Sequence, residues 1–301
     1  KQVANNVTLH LGNKMDFDTF RTNYCKKYAS QKCTIKILQP LFRVAKSRTY
    51  LKDVKKRFWL ESYLLKNLKH PNLCRAIDSG FLEYLPNKKL DSVDINTSLA
   101  CWIGAPFFAM RHIKAQNLCS LLCNEMPLIS HRIKWIIELG KVIQYLHSNG
   151  ILHRDLKLEN ILISKHDLRI ILTDLGTVKN CNSRLLHIIK DTMDDPYILT
   201  TWQYLPPEVE FGNQQYSSSS EIWSLGKVFL EIVKWQAINK CEILSNPSHI
   251  ISLDSQFLEQ TIKSMLHSMP LRRPSIEAIN SNLKNFATLD LKSYRNSKTT
   301  M

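Results

Sequence analysis

The sequence of 301 residues has no long apolar run, no internal repeat and no signal-peptide pattern in its first residues. No apolar stretch approaches the roughly eighteen residues of a transmembrane helix, so we expect no transmembrane segment. The chain begins with Lys1 and shows no signal-peptide pattern, as in a trimmed chain. With 44% apolar residues, it can bury a large core and form two lobes of one unit.

Cysteine pairs of the C-x-x-C type are absent, although the chain has eight cysteines. Cys119 and Cys123 lie one helical turn apart, but no two further ligands stand nearby, which favours helix packing over a metal site. Scattered free thiols fit a reducing compartment. We therefore expect a cytoplasmic protein.

Acidic residues are scarce relative to basic ones, because 26 Asp and Glu stand against 41 Lys and Arg and leave a net charge of +15. Such an excess attracts nucleic acid, anionic lipid or acidic proteins. Basic clusters lie at 26–27, 46–57 and 272–273, without any recognised nucleic-acid motif. We read the cluster at 46–57 as a solvated helix face. An acidic docking partner or acidic substrate is the alternative, and nucleic acid is disfavoured.

The run from His153 to Asn160 combines three groups that phosphoryl transfer requires. That chemistry needs a carboxylate at the attacking hydroxyl, a cation at the transferring phosphate and an oxygen ligand for Mg²⁺. Asp155, Lys157 and Asn160 supply one of each. A helical stretch closed by Gly150 precedes the run and a strand-like stretch follows it. The spacing therefore predicts a short catalytic loop.

This run resembles the H-R-D-L-x-x-x-N signature of eukaryotic-type protein kinases. Downstream, Asp174-Leu175-Gly176 is similar to the D-F-G element, with Leu as the apolar plug in place of Phe. The resemblance implies that Asn160 and Asp174 are the metal ligands and hold Mg²⁺. An isolated Asp-Leu-Gly also suits an ordinary strand-end turn, but its place fourteen residues after Asn160 favours the metal-binding reading.

Upstream, Cys33 to Leu38 alternates like a strand and resembles V-A-I-K, which places Lys36 at the phosphate-contacting lysine. An inward lysine needs a carboxylate, and Glu61 lies in a helical stretch predicted over 54–68. The alternative is a solvated strand lysine and a helix-surface acid. Given the catalytic loop, we favour the ion pair, with Leu65 packed behind it.

Three further motifs of the family fall in order. Pro206-Pro207-Glu208 resembles A-P-E, and the resemblance implies a buried, architectural pair of Glu208 with Arg273. The segment from Glu221 to Gly226 resembles D-x-W-S-x-G with Glu in place of Asp, so a longer side chain must reach the backbone of the catalytic loop. The segment from Thr200 to Leu205, which contains Thr201, resembles the substrate-docking loop of Ser/Thr kinases.

Nucleotide binding is the weakest part of the pattern. The family expects G-x-G-x-x-G-x-V, in which backbone amides approach the phosphates. The best placement here keeps the first glycine alone and puts Lys14 and Phe17 where the other two should be. The residues that the resemblance assigns to ATP binding are Gly12, Lys14, Thr19, Thr34, Lys36, Glu61, Met110, Arg111, Ile113 and Asp174. Among them, Met110 is expected at the back of the adenine pocket.

The resemblance implies an α+β, bilobal protein-kinase fold, with a small β-rich N-lobe that contains helix C and a larger, mainly α-helical C-lobe. The expected boundaries are residues 1–110 for the N-lobe, 111–117 for the hinge, 118–290 for the C-lobe and 291–301 for a polar tail. The long polar stretch at 82–104 is expected to be an insertion on the small lobe.

The implied function is a Ser/Thr protein kinase that uses ATP and Mg²⁺ on protein substrates. A pseudokinase scaffold and a small-molecule kinase of related fold are the alternatives. Acidic residues at 191, 194 and 195 surround Thr192, so we expect activity to depend only weakly on phosphorylation of the activation segment. Divergence outside the motifs resembles effector kinases of intracellular pathogens, which would place the protein in a host cytosol. A monomer or a weak dimer is expected.

Overall fold

The computed structural model describes residues 6–10, 33–38, 48–81, 105–180, 201–211, 214–234 and 256–286. The chain divides into two compact units. The first comprises 1–69, 73–113 and 188–193, and the second comprises 70–72, 114–187 and 194–301. The expected insertion at 82–104 and the polar tail at 291–301 lie outside the described residues.

The first unit contains an antiparallel sheet of four strands in the order β1-β2-β4-β3. These strands are β1 (Asn6–His10), β2 (Cys33–Leu38), β3 (Ala76–Phe81) and β4 (Pro106–Arg111). In the β2–β4 register, Lys36 lies opposite Phe108 and Thr34 lies opposite Met110. β-branched and aromatic side chains favour this pleated, half-buried surface. Ile35, Ile37 and Phe108 are all buried there.

A single long helix, α1 (Arg48–Asn67), accompanies this sheet among the described residues of the first unit. Phe58, Leu65 and Leu68 recur at helical spacing and are buried, as the periodicity predicts. The helix begins earlier than the predicted residue 54. No proline or glycine lies between Arg48 and Val54, so nothing in the sequence interrupts the first turns.

The second unit is mainly helical. Its helices are α2 (Leu118–Asn124), α3 (Ile129–Ser148), α4 (Pro207–Glu210), α5 (Ser218–Lys234), α6 (Gln256–Met265) and a helix α7 over 276–286. Short 3₁₀ turns span Leu158–Asn160, Trp202–Tyr204 and Pro270–Arg272. Helix α5 forms the centre of this unit, because its side chains from Ser220 to Val233 are all buried.

Short strands frame the predicted catalytic loop. They are β5 (Ala115–Asn117), β6 (Ile151–Leu152), β7 (Ile161–Ser164), β8 (Ile170–Leu172) and β9 (Lys179–Asn180). β5, β7 and β8 form one antiparallel sheet, and β6 pairs with β9. The loop therefore begins after β6 and ends where β7 begins, as the sequence predicts.

A β-rich unit and a mainly helical unit confirm the expected α+β fold class. The chain passes from the first unit to the second between Ile113 and Lys114, within the segment expected as the hinge. The exact domain limits stay a prediction. None of the helices in the described part of the chain combines the length and the apolar character needed to cross a membrane.

Candidate active site

The catalytic loop is held in shape by a carboxylate from helix α5. The backbone N–H of Arg154 donates to Oε1 of Glu221 at 2.9 Å, and Nε2 of His147 lies 2.6 Å from Oε2 of the same side chain. Arg154 adopts a φ of 65°, which non-glycine residues rarely adopt without support from their surroundings. The side chain of Glu221 is fully buried. Glu221 therefore makes the contact with the loop backbone that the sequence predicts for it, although it is longer than the Asp of the family's motif.

The side chain of Asp155 contacts Lys157 and Asn160, as the sequence predicts, and also Thr201. Its Oδ2 lies 2.7 Å from Nζ of Lys157 and accepts a hydrogen bond of 3.0 Å from Nδ2 of Asn160. Its Oδ1 lies 3.3 Å from the hydroxyl of Thr201, which Lys157 also contacts at 3.0 Å. Asp155 is only 5% exposed. These contacts fix the orientation of a carboxylate that could accept a proton from a hydroxyl group.

The segment expected to bind metal, Asp174 to Gly176, follows strand β8. Asp174 has a φ of 63°, and its Oδ1 accepts a hydrogen bond of 3.4 Å from the N–H of Gly176. Leu175 is fully buried, which fits its expected use as an apolar plug. Thr173 connects the two expected metal ligands, because its N–H and hydroxyl both donate to the carbonyl of Asn160, at 2.9 and 3.0 Å.

The donor set fits a hard cation such as Mg²⁺. Nδ2 of Asn160 donates to both the carbonyl and the carboxylate of Asp155, so the amide oxygen is the atom of this side chain that could bind a metal. A carboxylate and an amide oxygen are ligands that Mg²⁺ accepts together with phosphate oxygens and water. The assignment of Asn160 and Asp174 to a metal nevertheless stays a prediction.

In the first unit, Lys36 and Glu61 form a buried ion pair. Nζ of Lys36 lies 2.7 Å from Oε1 and 2.8 Å from Oε2 of Glu61. The two residues are 7% and 2% exposed, and Leu65 is buried one turn farther along α1. Nζ of Lys36 also lies 5.8 Å from the ring centre of Phe108, within range of a cation–π contact. The alternative of a solvated lysine and a surface acid is therefore wrong.

The remaining expected nucleotide contacts are placed only in part. Thr34 is the register partner of Met110, and the sulfur of Met110 accepts from the Cys74 thiol at 3.4 Å. Arg111 ends strand β4, and Ile113 follows two residues later. Their roles toward adenine stay predictions. Gly12, Lys14 and Thr19 lie outside the described residues.

The architectural pair is present as expected. Arg273 contacts the two carboxylate oxygens of Glu208 at 2.8 and 2.7 Å, and its guanidinium lies 5.1 Å from the Trp223 ring centre. Burial alone would raise the pKa of the Glu208 carboxyl, but the hydrogen bonds and charge of Arg273 hold it below its ordinary value. The pair therefore connects α4, which follows the docking loop, with the segment between the 3₁₀ turn Pro270–Arg272 and α7.

Sequence reasoning missed two polar groups in the core of the second unit. The first is His147, which contacts Glu221. Its position in the last turn of α3, just before the loop, could have indicated a contact with the loop region. The second is a cluster around Glu231, which accepts from the Tyr204 hydroxyl at 2.8 Å and pairs with Lys227 at 3.1 Å. Burial raises the pKa of Tyr204 well above its ordinary value, and the neighbouring charge of Glu231 adds to the effect. A lysine in an apolar helix with an acid four residues later was the signal for that pair.

Comparison with known families agrees with this geometry. A family model described as "Protein kinase domain" matches residues 23–283. The chain belongs to the protein kinase family. The match includes Lys36, Glu61, the loop from His153 to Asn160, and Arg273.

The curated relatives are Ser/Thr kinases of moderate identity. The chain is 32% identical over 237 residues to a probable serine/threonine-protein kinase nek3 of Dictyostelium discoideum. The matched region covers 73% of this chain and 18% of that protein. It is 28% identical over 228 residues to the serine/threonine-protein kinase Nek4 of Mus musculus, covering 73% of this chain and 26% of the relative. The chain thus spans about a fifth to a quarter of the length of these relatives. It is a divergent, eukaryotic-type Ser/Thr kinase domain.

Proposed function

We propose that this kinase domain is catalytically active and transfers the γ-phosphate of ATP to Ser or Thr hydroxyls of protein substrates. The observation that carries the proposal is the buried carboxylate of Asp155, held at once by Lys157, Asn160 and Thr201. A scaffold that had lost catalysis would have no chemical need of this arrangement. Protein substrates and dependence on ATP and Mg²⁺ are parts of the same proposal.

The mechanism follows from the positions of these side chains. Asp155 orients the substrate hydroxyl and accepts its proton, while Lys157, 2.7 Å from that carboxylate, neutralises charge on the transferring phosphoryl group. Lys36, held by Glu61, contacts the phosphates of the nucleotide. Asn160 and Asp174 would hold Mg²⁺, which neutralises charge on the nucleotide phosphates. Most of the catalysis is then positioning and electrostatic stabilisation.

The contact between Lys157 and Thr201 supports Ser/Thr specificity. The two side chains meet at 3.0 Å, and the Thr201 hydroxyl also faces Asp155. In sequence, this lysine and threonine resemble Ser/Thr kinases more than tyrosine kinases. The contact therefore connects the docking loop directly to the catalytic carboxylate.

A pseudokinase scaffold is the rival function, and the observation in its favour is the glycine-poor loop after Gly12. Fewer glycines allow fewer close approaches of backbone amides to phosphates. On this reading the protein binds nucleotide weakly or not at all and acts by binding other proteins. Lys14 could replace part of the lost amide contacts by charge, which is why we favour activity with weakened ATP binding.

Transfer of labelled phosphate from ATP and Mg²⁺ to a generic basic protein separates the two functions. We expect Asp155→Ala and Asp174→Ala to lower incorporation by about 10³-fold or more, because each removes a group required in the transition state. Asp167→Ala, on the exposed β7–β8 turn, is the matched control and should stay within about twofold of the wild type.

Equal incorporation by the wild type and both active-site variants would refute the catalytic assignment. No incorporation by the wild type, together with a thermal shift on adding ATP, would support the scaffold instead. We also propose a cytoplasmic location, based on the scattered free thiols of the sequence, and a monomer or weak dimer. A host-cytosol location and an effector role rest on sequence divergence alone.

A further inference from the structure

Helix α1 has two faces of opposite character. At 3.6 residues per turn, Lys55, Trp59, Tyr63 and Lys66 follow one side of the helix, and Lys56 lies beside them. The opposite side carries Phe58 and Leu65, which are buried together with Glu61. The first side therefore faces away from the core of its unit.

The outward side carries positive charge. Lys55, Lys56 and Lys66 are all exposed. Residues 54–67, whose side chains the structure describes, include one acidic residue, Glu61. Its carboxylate is buried against Lys36. The outward side thus carries several of the positive charges that give the chain its net charge of +15.

Aromatic side chains occupy the centre of this basic side. Tyr63 is 38% exposed, and Phe81 at the end of β3 is 56% exposed. The rings of Phe81 and Trp59 meet edge to face with their centres 5.4 Å apart. We call Lys55, Lys56, Trp59, Tyr63, Lys66 and Phe81 the α1 surface. An aromatic centre with a charged rim is the anatomy of many protein docking surfaces.

We propose that the α1 surface docks an acidic segment of a partner protein, in which an aromatic or branched apolar side chain lies between clusters of Asp and Glu. Charge complementarity selects the acidic clusters, and the rings of Tyr63 and Phe81 receive the apolar side chain. Lys55 and Lys66 are eleven residues apart, or about 16 Å along the helix axis. About five residues of extended chain span that distance.

A protein segment fits this surface better than a nucleic acid does. Single-stranded nucleic acids stack their bases on the flat faces of aromatic rings along a basic groove. Here the rings of Trp59 and Phe81 are inclined by 64°, so they form an edge-to-face cluster and no row of parallel platforms. Such a cluster suits the insertion of one apolar side chain. The proposal does not depend on catalysis.

The test uses the full chain and a labelled synthetic peptide with a Phe-Leu pair between two runs of three Glu residues. Binding is measured by fluorescence anisotropy at low salt. We expect Lys55→Glu/Lys66→Glu to weaken binding by about tenfold or more, because attraction becomes repulsion at both ends. The control is Lys141→Glu/Lys165→Glu, with the same change in net charge at two exposed positions of the second unit. It should change affinity by less than about threefold.

The apolar part is tested separately. Tyr63→Ala, or replacement of Phe-Leu by Ser-Ser in the peptide, should each weaken binding by about threefold or more. The proposal is overturned if wild type does not bind, if both charge variants weaken binding equally, or if the Ser-Ser peptide binds as well. A single-stranded RNA that binds more tightly than the peptide, and that loses affinity in Lys55→Glu/Lys66→Glu, would identify a nucleic-acid surface instead.

Discussion

The ion pair of Lys36 and Glu61 has a structural role, and we propose that it also has a catalytic one. Both are buried, and both carboxylate oxygens lie within 2.8 Å of the ammonium group. Removing one partner of a buried pair leaves an uncompensated charge, whereas replacing both by apolar side chains can be nearly neutral for stability. Stability and catalysis can therefore be separated by choosing which partners to remove.

We predict that Glu61→Gln lowers the free energy of unfolding by about 3 kcal/mol, because the Lys36 charge stays buried without a counter-charge. The double variant Lys36→Met/Glu61→Leu should recover most of that loss but have no kinase activity. Chemical denaturation and phosphate transfer measure the two effects. Glu125→Gln, at an exposed position, is the control. A double variant as unstable as Glu61→Gln would contradict the argument.

At the scale of elements, one side chain of α5 connects the end of α3 with the catalytic loop. Glu221 contacts His147 with one oxygen and the backbone of Arg154 with the other. The neighbouring Tyr216 and Ser224 hydroxyls lie 3.1 Å apart in the same buried region. Residues 220–233 of α5 are all buried, so Glu221 is held in place against the loop and supports its unusual backbone.

We predict that Glu221→Asp lowers kcat by about tenfold, although Asp stands at this position in the family's motif. The shorter side chain cannot span both His147 and Arg154, so the positive φ at Arg154 loses support. KM for the protein substrate should change less than kcat, because the docking loop is untouched. Glu277→Asp on the exposed side of α7 is the control. Unchanged kcat in Glu221→Asp would show that the backbone contact is dispensable.

For the whole molecule, the pair of Glu208 and Arg273 connects stability to pH. The pKa of Glu208 in the folded state lies below its ordinary value of 4.5. A carboxyl with a depressed pKa contributes stability that is complete above the unfolded pKa and is lost as the pH falls through the folded pKa. The contribution should therefore be present at neutral pH, begin to fall near pH 4.5 and be lost as the pH drops through the lower pKa of the folded state.

We predict that the double variant Glu208→Leu/Arg273→Leu shows a shallower loss of stability between pH 5 and pH 3 than the wild type. The reason is that the variant lacks one carboxyl whose protonation opposes folding. Urea denaturation across this pH range measures the slope. Glu277→Gln, at an exposed position of α7, is the control and should change the slope less. Identical slopes in wild type and double variant would refute the assignment.

Activity of the whole chain should depend only weakly on phosphorylation of the activation segment. The acids at 191, 194 and 195 already supply negative charge near Thr192, and these four residues lie outside the described residues. Mass spectrometry of active protein identifies any modified residue, and alanine is then placed at each one. Abolished activity in any single alanine variant would contradict the prediction.

The sequence by itself determined the family and the α+β class and predicted the catalytic loop, because these depend on residue types at short, fixed spacings. It also predicted the pairs of Lys36 with Glu61 and Glu208 with Arg273, since each partner occupied a recognisable motif. Only the tertiary structure decided that His147 supports the loop through Glu221, and that the Tyr204 hydroxyl meets Glu231. These facts depend on packing between residues far apart in the chain, and local patterns carry no information on such contacts.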